Sequence, residues 1–321
     1  MSGKTLALTF PGQGSQAVGM GKALAEAFPV ARAVFEEVDS ALGEKLTATI
    51  WDGPAETLQL TENAQPALMA VSLAALRVLE SEAGLAVGRD AAFVAGHSLG
   101  EYSALAAAGS LTITDTARLL RIRGRAMQKA VPVGQGAMAA LLGLDYEAAV
   151  AVAREAAAGE VCEAANDNGG GQVVVSGHKA AVERAVEIAK GRGARRAMLL
   201  PVSAPFHCAL MQPAADAMAE ALAGVSIAAP AAPLVANVLA APVSDPDAIR
   251  RHLVEQVTGT VRWRESVAFM AVHGVTTFLE IGAGKVLSGL VKRIADGASG
   301  VAVGTPADIA AASELLAATR R

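Results

Sequence analysis

The order of apolar segments along the chain limits the possible folds more than any other feature of this sequence. Short apolar runs alternate with longer segments in which apolar residues recur at the spacing of one helix face. The predicted strands are Thr5–Phe10, Ala92–Gly96, Leu234–Leu239, Thr276–Ile281 and Val301–Val303. The clearest predicted helices are Pro66–Glu82 and Asp115–Lys129. This alternation predicts an α/β fold with a parallel sheet.

The middle of the chain departs from this alternation. The predicted order there is strand, helix, strand, strand, helix, strand, at Met138–Leu142, Tyr146–Ala157, Val161–Ala165, Val173–Ser176, Ala180–Lys190 and Ala197–Val202. That order is typical of a ferredoxin-like unit. We therefore predict a small domain at residues 133–203, inserted into a larger core formed by residues 1–132 and 204–321.

Composition argues against several classes of function. The formal net charge is −4 and no long basic run occurs, so nothing favours binding to nucleic acid or to an anionic membrane. The uncharged segment Ala221–Ser244 contains three prolines, which favours a loop and a buried strand over a membrane span. Cys162 and Cys208 are far apart and form no C-x-x-C pair, so neither a disulfide framework nor a zinc site is expected. A reducing, cytoplasmic setting fits this cysteine content.

A serine nucleophile is predicted at Ser98. The run Gly96-His97-Ser98-Leu99-Gly100 fits the G-x-S-x-G pattern and lies between a predicted strand and the helix-forming segment Glu101–Ala108. A serine at such a tight turn needs small neighbours on both sides, which Gly96 and Gly100 provide. The alternative is an ordinary strand-to-helix turn in which Ser98 only caps the helix.

His207 is the predicted base for this serine. It lies in the irregular segment Ser203–Cys208, directly after the small domain, and loops often carry catalytic groups. The other four histidines, His97, His178, His252 and His273, are interpreted as surface or packing residues. No acidic residue is an obvious third member of a triad, so a backbone carbonyl is an alternative orienting group.

The glycine-rich run Pro11–Gln16 follows the first predicted strand. Neither this run nor Gly282–Gly284 has the glycine spacing of a dinucleotide fingerprint or the Gly-Lys-Ser/Thr of a P-loop. An acyl-transfer site needs a second backbone N–H besides the one that follows the nucleophile. We therefore predict that Gln13 N–H and Leu99 N–H form an oxyanion hole, while Gly282–Gly284 forms an ordinary tight turn.

Arg123 is a candidate for binding a carboxylate. It lies three and four residues after apolar residues of its predicted helix, which turns it towards the buried face. An inward arginine commonly pairs with a carboxylate in bidentate geometry. The alternative is a solvated helix face shared with Arg118, Arg121 and Arg125.

Taken together and in order, these motifs resemble the malonyl-CoA:acyl carrier protein transacylases of fatty-acid synthesis. The resemblance covers nearly the whole chain and rests on Pro-Gly-Gln-Gly-Ser-Gln at 11–16, Gly-His-Ser-Leu-Gly-Glu at 96–101, Arg-x-Arg-Gly at 121–124, Ala-Asn-Asp-Asn at 165–168, Pro-Phe-His-Cys at 205–208, Val-Arg-Trp at 261–263 and Ile-Gly-Ala-Gly-Lys-Val-Leu at 281–287. It implies an α/β-hydrolase-like core with an inserted ferredoxin-like domain. It also implies malonyl-CoA and acyl carrier protein as substrates, with no further cofactor and no metal.

The resemblance also assigns roles to residues. It implies that Ser98 carries a malonyl ester, that His207 acts as base and then acid, and that Arg123 binds the malonyl carboxylate. Gln256 aligns with the position whose backbone carbonyl orients the histidine in the family. Phe206 differs from members that have serine there; in related polyketide acyltransferases phenylalanine goes with malonyl and serine with methylmalonyl.

Other interpretations of the sequence remain open at this stage. One is a serine esterase or thioesterase with the same turn, and another is a non-enzymatic binding module that uses the glycine loops for a nucleotide. A third is a malonyltransferase that serves polyketide synthesis. Because carrier proteins are acidic, the basic residues Lys190, Arg192, Arg195 and Arg196 are candidates for docking, with a solvated charge cluster as the alternative.

Overall fold

The structure is a computed structural model and describes residues 5–319. The strands of this part of the chain are β1 (Leu6–Phe10), β2 (Ala91–Gly96), β3 (Gly136–Leu142), β4 (Cys162–Asp167), β5 (Gln172–His178), β6 (Arg196–Leu199), β7 (Leu234–Ala236), β8 (Ala241–Val243), β9 (Thr277–Ile281) and β10 (Ser299–Val303). The helices are α1 (Lys22–Ala27), α2 (Pro29–Leu42), α3 (Leu46–Asp52), α4 (Ala55–Gln59), α5 (Thr61–Ala83), α6 (Val87–Asp90), α7 (Gly100–Ala107), α8 (Ile113–Ala130), α9 (Tyr146–Ala157), α10 (Lys179–Gly191), α11 (Gln212–Ala223), α12 (Pro246–Thr258), α13 (Trp263–Val272), α14 (Val286–Ile294) and α15 (Pro306–Thr319). None of the helices described in this range is long and apolar enough to cross a membrane.

A six-stranded sheet forms the centre of the larger part of the molecule. Its strand order is β10-β9-β1-β2-β7-β8, and all neighbouring strands are parallel except β7 and β8. Alternate residues of β1 enter different cores: Leu6 and Leu8 belong to the apolar core that includes α5 and α8, whereas Ala7 belongs to the core that includes α13 and α14. The sheet is therefore covered by helices on both faces, which confirms the prediction of an α/β core.

Helix α5 crosses the interior of the larger core and is buried along most of its length. The sequence predicted that it begins at Pro66, but it begins at Thr61, and Pro66 lies inside it. A proline inside a helix leaves the carbonyl four residues earlier without its partner. That carbonyl belongs to Glu62, and the guanidinium of Arg121 on α8 donates to it over 2.8 Å. This contact between two helices accounts for the earlier start.

The four strands β3 to β6 form a second, antiparallel sheet in the order β4-β5-β3-β6. Helices α9 and α10 pack on it and close a separate apolar core of small residues such as Ala149, Val152 and Ala185. This arrangement confirms the ferredoxin-like unit expected in the middle of the chain. The limits at residues 133 and 203 stay a prediction.

Strand β7 is shorter than predicted. It ends at Ala236 rather than at Leu239, and a turn follows in which Ala240 has a φ of 52°. The chain leaves the sheet here because the side chain of Asn237 hydrogen-bonds to backbone groups at the end of β2. Strand β8, which the sequence did not indicate, then pairs back on β7.

Candidate active site

Ser98 lies in the tight turn between β2 and α7, at the carboxyl end of the central sheet. Its φ is 53°, in the left-handed region that non-glycine residues rarely adopt. A Cβ at Gly96 would lie 1.9 Å from the Gly100 carbonyl, and one at Gly100 would lie 2.3 Å from the Phe10 carbonyl oxygen. The two glycines therefore permit a turn that presents the Ser98 hydroxyl above the sheet.

His207 meets Ser98 from the segment that returns from the small domain. Its Nε2 is 2.8 Å from Ser98 Oγ, although 109 residues separate the two in sequence. Its Nδ1 is 2.9 Å from the Gln256 carbonyl and 3.1 Å from the Gly259 carbonyl. Because carbonyl oxygens only accept, Nδ1 must carry the hydrogen, and Nε2 is left free to accept a proton from Ser98.

Burial keeps the imidazole of His207 neutral. The side chain is 3% exposed, and loss of solvation together with the nearby charge of Arg123 lowers its pKa to about 3. The two carbonyls at Nδ1 oppose this shift, because they favour the protonated ring. His207 is thus unprotonated at neutral pH, which is the state in which a general base accepts a proton.

Asn237 stabilises the turn that carries Ser98, and the sequence patterns did not predict this role. Its Oδ1 accepts from Ser98 N–H at 2.8 Å, and its Nδ2 donates to the Gly96 carbonyl at 2.7 Å. These bonds hold both sides of the strained residue. No local sequence signal indicates this role, because Asn237 is 139 residues away from Ser98.

The residues of the two predicted oxyanion donors, Gln13 and Leu99, line the same cavity as Ser98. Leu99 N–H opens α7, and the loop that carries Gln13 follows the adjacent strand β1. The loop is held close, since a Cβ at Gly12 would lie 2.7 Å from the His97 carbonyl oxygen. Neither the Leu99 N–H nor the Gln13 N–H has a hydrogen-bond partner among residues 5–319. Both donors are therefore available to an anionic oxygen at Ser98.

Arg123 reaches the site from α8 and is 1% exposed. Its terminal nitrogens donate to Gln65 Oε1 at 2.7 Å, to Gln256 Oε1 at 2.8 Å and to Ser98 Oγ at 3.1 Å. Its Nε has no hydrogen-bond partner within the described chain. A guanidinium has five N–H donors, so this buried cation still has donors to offer. No carboxylate of the described residues lies within ion-pair distance of it.

Gln256 connects several of these groups. Besides orienting His207 through its carbonyl, it donates from Nε2 to the Ser98 carbonyl at 2.9 Å and to Glu101 Oε2 at 3.0 Å. Glu101 is also buried, and its Oε2 accepts the Asn237 N–H at 3.0 Å. The resemblance identified Gln256 only through its backbone; the structure adds the role of its side chain.

A cavity of about 490 Å³ opens over Ser98 and has the size of a small-molecule site. Its polar part contains Ser98, His207 and Arg123, and its apolar wall includes Phe206 and Met127. Phe206 directly precedes the base and is 8% exposed. The ring therefore limits the volume available to a group attached to Ser98.

The remaining groups near the site have structural partners. His97 Nε2 lies 2.8 Å from Asn168 Oδ1, and burial lowers the pKa of this histidine. Burial also raises the pKa of the Cys208 thiol to about 11, so the thiolate needed for nucleophilic attack is scarce. No group of three or more side chains able to hold a metal ion occurs among the residues that the structure describes.

Comparison with known proteins gives a consistent result. The family of proteins with an acyl transferase domain matches residues 8–308. Curated malonyl CoA-acyl carrier protein transacylases are similar to the chain: that of Escherichia coli (strain K12) is 48% identical, with 96% of this chain and 99% of the relative covered. That of Bacillus subtilis (strain 168) is 46% identical, with 97% of each covered.

Solved structures agree with these relatives. An acyl-carrier-protein S-malonyltransferase from Bartonella henselae is 59% identical and superposes with a TM-score of 0.95, covering 97% of this chain and 99% of that one. A malonyl-transacylase solved in complex with its type II polyketide synthase acyl-carrier protein is 46% identical with a TM-score of 0.93, covering 97% and 99%. The likeness extends over the core and the small domain alike.

Proposed function

We infer the function of this chain from the fact that it belongs to the malonyl-CoA:acyl carrier protein transacylase family. It is an acyltransferase that moves malonyl from malonyl-CoA to the phosphopantetheine thiol of acyl carrier protein in fatty-acid synthesis. The residue-level mechanism that follows is our proposal. The observation that carries it is the hydrogen bond between Ser98 Oγ and Nε2 of His207, a buried imidazole whose Nδ1 faces two carbonyls.

In the first half-reaction, His207 Nε2 takes the Ser98 hydroxyl proton while Oγ attacks the thioester carbonyl of malonyl-CoA. The tetrahedral oxyanion then accepts hydrogen bonds from the backbone N–H groups of Gln13 and Leu99. When the carbon–sulfur bond breaks, His207 returns the proton to the departing thiolate. The products are coenzyme A and a malonyl ester on Ser98.

The second half-reaction reverses these roles. His207 takes a proton from the phosphopantetheine thiol of the carrier protein, and the sulfur attacks the Ser98 ester. The carbon–oxygen bond breaks, and the proton returns to Ser98 Oγ. Both halves use the same base and the same two donors, which is the arrangement that a ping-pong mechanism requires.

Arg123 accounts for the choice of acyl group. Malonyl carries a free carboxylate, and Arg123 is a buried cation with unused donors and no direct carboxylate partner in the described chain. A neutral acyl group leaves those donors without an acceptor in a closed site, which is costly. Phe206 adds a steric limit, because its ring crowds a branch next to the ester carbonyl.

The geometry favours transfer over simple hydrolysis. Esterases of this type usually orient the histidine with an acidic residue, whereas the partners of His207 Nδ1 here are two uncharged carbonyls. No cofactor besides the two substrates takes part in the proposed steps. The enzyme works in the cytoplasm, as the two unpaired, buried cysteines favour.

One relative points to a second pathway. The malonyl-transacylase solved with a type II polyketide synthase carrier protein has nearly the same fold and 46% identity. The proposed catalytic groups do not distinguish the two pathways, since both carrier proteins present the same phosphopantetheine thiol. Comparing transfer rates to a fatty-acid and a polyketide carrier protein separates the two functions.

The basic residues suggested for docking differ in their surroundings. Lys190 and Arg192 pair with glutamates on their own domain. Arg195 and Arg196 have no such partner in the described chain, and they line a cavity of about 280 Å³ together with Arg293 of α14. We therefore place the carrier-docking proposal on Arg195 and Arg196, because unpaired arginines attract an acidic surface at no internal cost.

Intact-protein mass spectrometry tests the mechanism. After mixing with malonyl-CoA, the protein is expected to gain the mass of one malonyl group, and Ser98→Ala is expected to gain none. Adding carrier protein should remove the group by transfer. Steady release of malonate without any acceptor would instead identify a hydrolase, and a full malonyl gain by Ser98→Ala would refute the assignment of the nucleophile.

A further inference from the structure

Glu101 is a buried carboxylate that the proposed mechanism does not use. It lies in the first turn of α7, three residues after Ser98, and is 1% exposed. Its Oε2 accepts two hydrogen bonds, from Asn237 N–H and from Gln256 Nε2, both at 3.0 Å. Its Oε1 has no hydrogen-bond partner in the described part of the chain. Half of this carboxylate is therefore without the donors that stabilise a buried negative charge.

The amide of Gln256 connects Glu101 to Arg123. Its Oε1 accepts from Arg123 at 2.8 Å while its Nε2 donates to Glu101 at 3.0 Å. Glu101 thus acts as the counter-ion of Arg123 through one intervening amide rather than by direct contact. When Glu101 is ionised, its negative charge balances the positive charge of Arg123 in the free site.

The groups around Glu101 are few. Arg123 of α8 and the neighbouring Tyr102 of α7 are the titratable groups that interact with it in the described chain, and burial raises the pKa of Tyr102, so it stays neutral. Helix α12 and the turn after β7 contribute the uncharged Gln256 and Asn237. Burial raises the pKa of Glu101 to about 7, against the opposing effects of Asn237, Gln256 and Arg123. The ionised and protonated forms of this carboxyl are therefore close in free energy near neutral pH.

A malonyl carboxylate bound at Arg123 adds a second negative charge to this buried site. We propose that Glu101 is a proton-accepting positioning residue, ionised in the free enzyme and protonated when a malonyl carboxylate binds Arg123. The proposal rests on the function proposed above, because it needs a carboxylate at Arg123. Without proton uptake, the loaded site would hold two buried anions and one cation, and like charges at close range raise a carboxyl pKa.

The unpartnered Oε1 of Glu101 is suited to accept this proton. A proton on Oε1 breaks neither of the two hydrogen bonds at Oε2, so Gln256 keeps its orientation. Because the Gln256 carbonyl in turn orients His207, the base stays aligned in both charge states. The proton comes from solvent when malonyl binds and returns when malonyl leaves, so the complete transfer releases and consumes none.

Proton uptake tests the proposal directly. Enzyme and excess malonyl-CoA are mixed in weak buffer with an indicator dye at about pH 7.5, and the ester on Ser98 is measured by mass in the same sample. We expect the wild type to take up a fraction of a proton per ester more than Glu101→Gln. Ionisation of the coenzyme A thiol contributes equally to both proteins and cancels in the difference.

The outcomes separate the two proposals. No ester in the wild type overturns the proposed function itself. An ester with equal proton uptake by wild type and Glu101→Gln overturns only the role of Glu101. If Glu101→Gln does not fold, infrared difference spectra of the wild type serve instead. A new protonated carboxylic acid band is expected on malonyl loading, and its absence overturns the role of Glu101.

Discussion

Replacing Arg123 with alanine gives the sharpest test of why the acyl group carries a carboxylate. The wild-type side chain is buried, and three hydrogen bonds to Gln65, Gln256 and Ser98 hold its guanidinium beside the nucleophile. A charge-assisted hydrogen bond contributes about 1.5–3 kcal/mol. Two such bonds from an arginine to a carboxylate contribute roughly 3–6 kcal/mol.

This magnitude sets the expected rates. Since 1.4 kcal/mol is a factor of ten, kcat/KM for malonyl-CoA should fall by roughly 10²- to 10⁴-fold in Arg123→Ala. Acylation by acetyl-CoA should rise, by about tenfold or more, because the variant no longer leaves buried guanidinium donors without an acceptor beside a neutral acyl group. Stopped-flow or intact-mass measurement of Ser98 acylation with the two donors gives both values.

The control distinguishes this effect from damage to the helix. Arg125 lies on the same helix, is exposed and pairs with Glu62, so Arg125→Ala should leave both rates unchanged. Arg123→Met retains more of the side-chain volume and should show the same exchange of preference as Arg123→Ala if folding is intact. Equal rates of malonyl transfer by the wild type and by folded Arg123→Ala would refute the proposal that Arg123 binds the malonyl carboxylate.

Three further predictions concern other residues of the site. Burial lowers the pKa of His207 to about 3 from an ordinary 6.5, so between these pH values the unfolded chain binds a proton that the folded chain does not. The free energy of unfolding should therefore fall as the pH drops from about 6.5 towards 3. In urea unfolding, the variant His207→Gln should lack this part of the decline. An unchanged pH dependence in that variant would contradict a neutral, buried imidazole. Phe206→Ser should improve methylmalonyl acylation relative to malonyl by about 10- to 100-fold, since one methyl is worth about 1–3 kcal/mol in a pocket, and an unchanged ratio in competition assays would exclude a steric role for the ring. Reversing charge with Arg195→Glu and Arg196→Glu should raise KM for carrier protein but not for malonyl-CoA, whereas Lys179→Glu on the same domain should change neither; an unaltered carrier KM would disprove docking at this surface.

Local sequence patterns were enough to predict the main elements of the fold. The alternation of apolar runs and helical segments predicted the parallel sheet, and the strand and helix order in the middle of the chain predicted the ferredoxin-like sheet. Strand ends were less predictable. The early end of β7 depends on Asn237, which bonds to a strand far away in sequence. The early start of α5 likewise depends on Arg121 of another helix.

The same distinction between local and long-range features applies to the residues of the site. The turn at Ser98 could be predicted from sequence, because the two glycines, the strand and the helix that shape it lie within a few residues of the serine. The sequence could nominate His207, Arg123 and Gln13, but not the contacts between them. The folded structure was needed to show that two carbonyls face His207 Nδ1 and that Glu101 and Arg123 share the amide of Gln256. Backbone strain and periodicity arise from neighbours along the chain, whereas these hydrogen bonds and buried charges depend on residues that are far apart in sequence and that folding brings together.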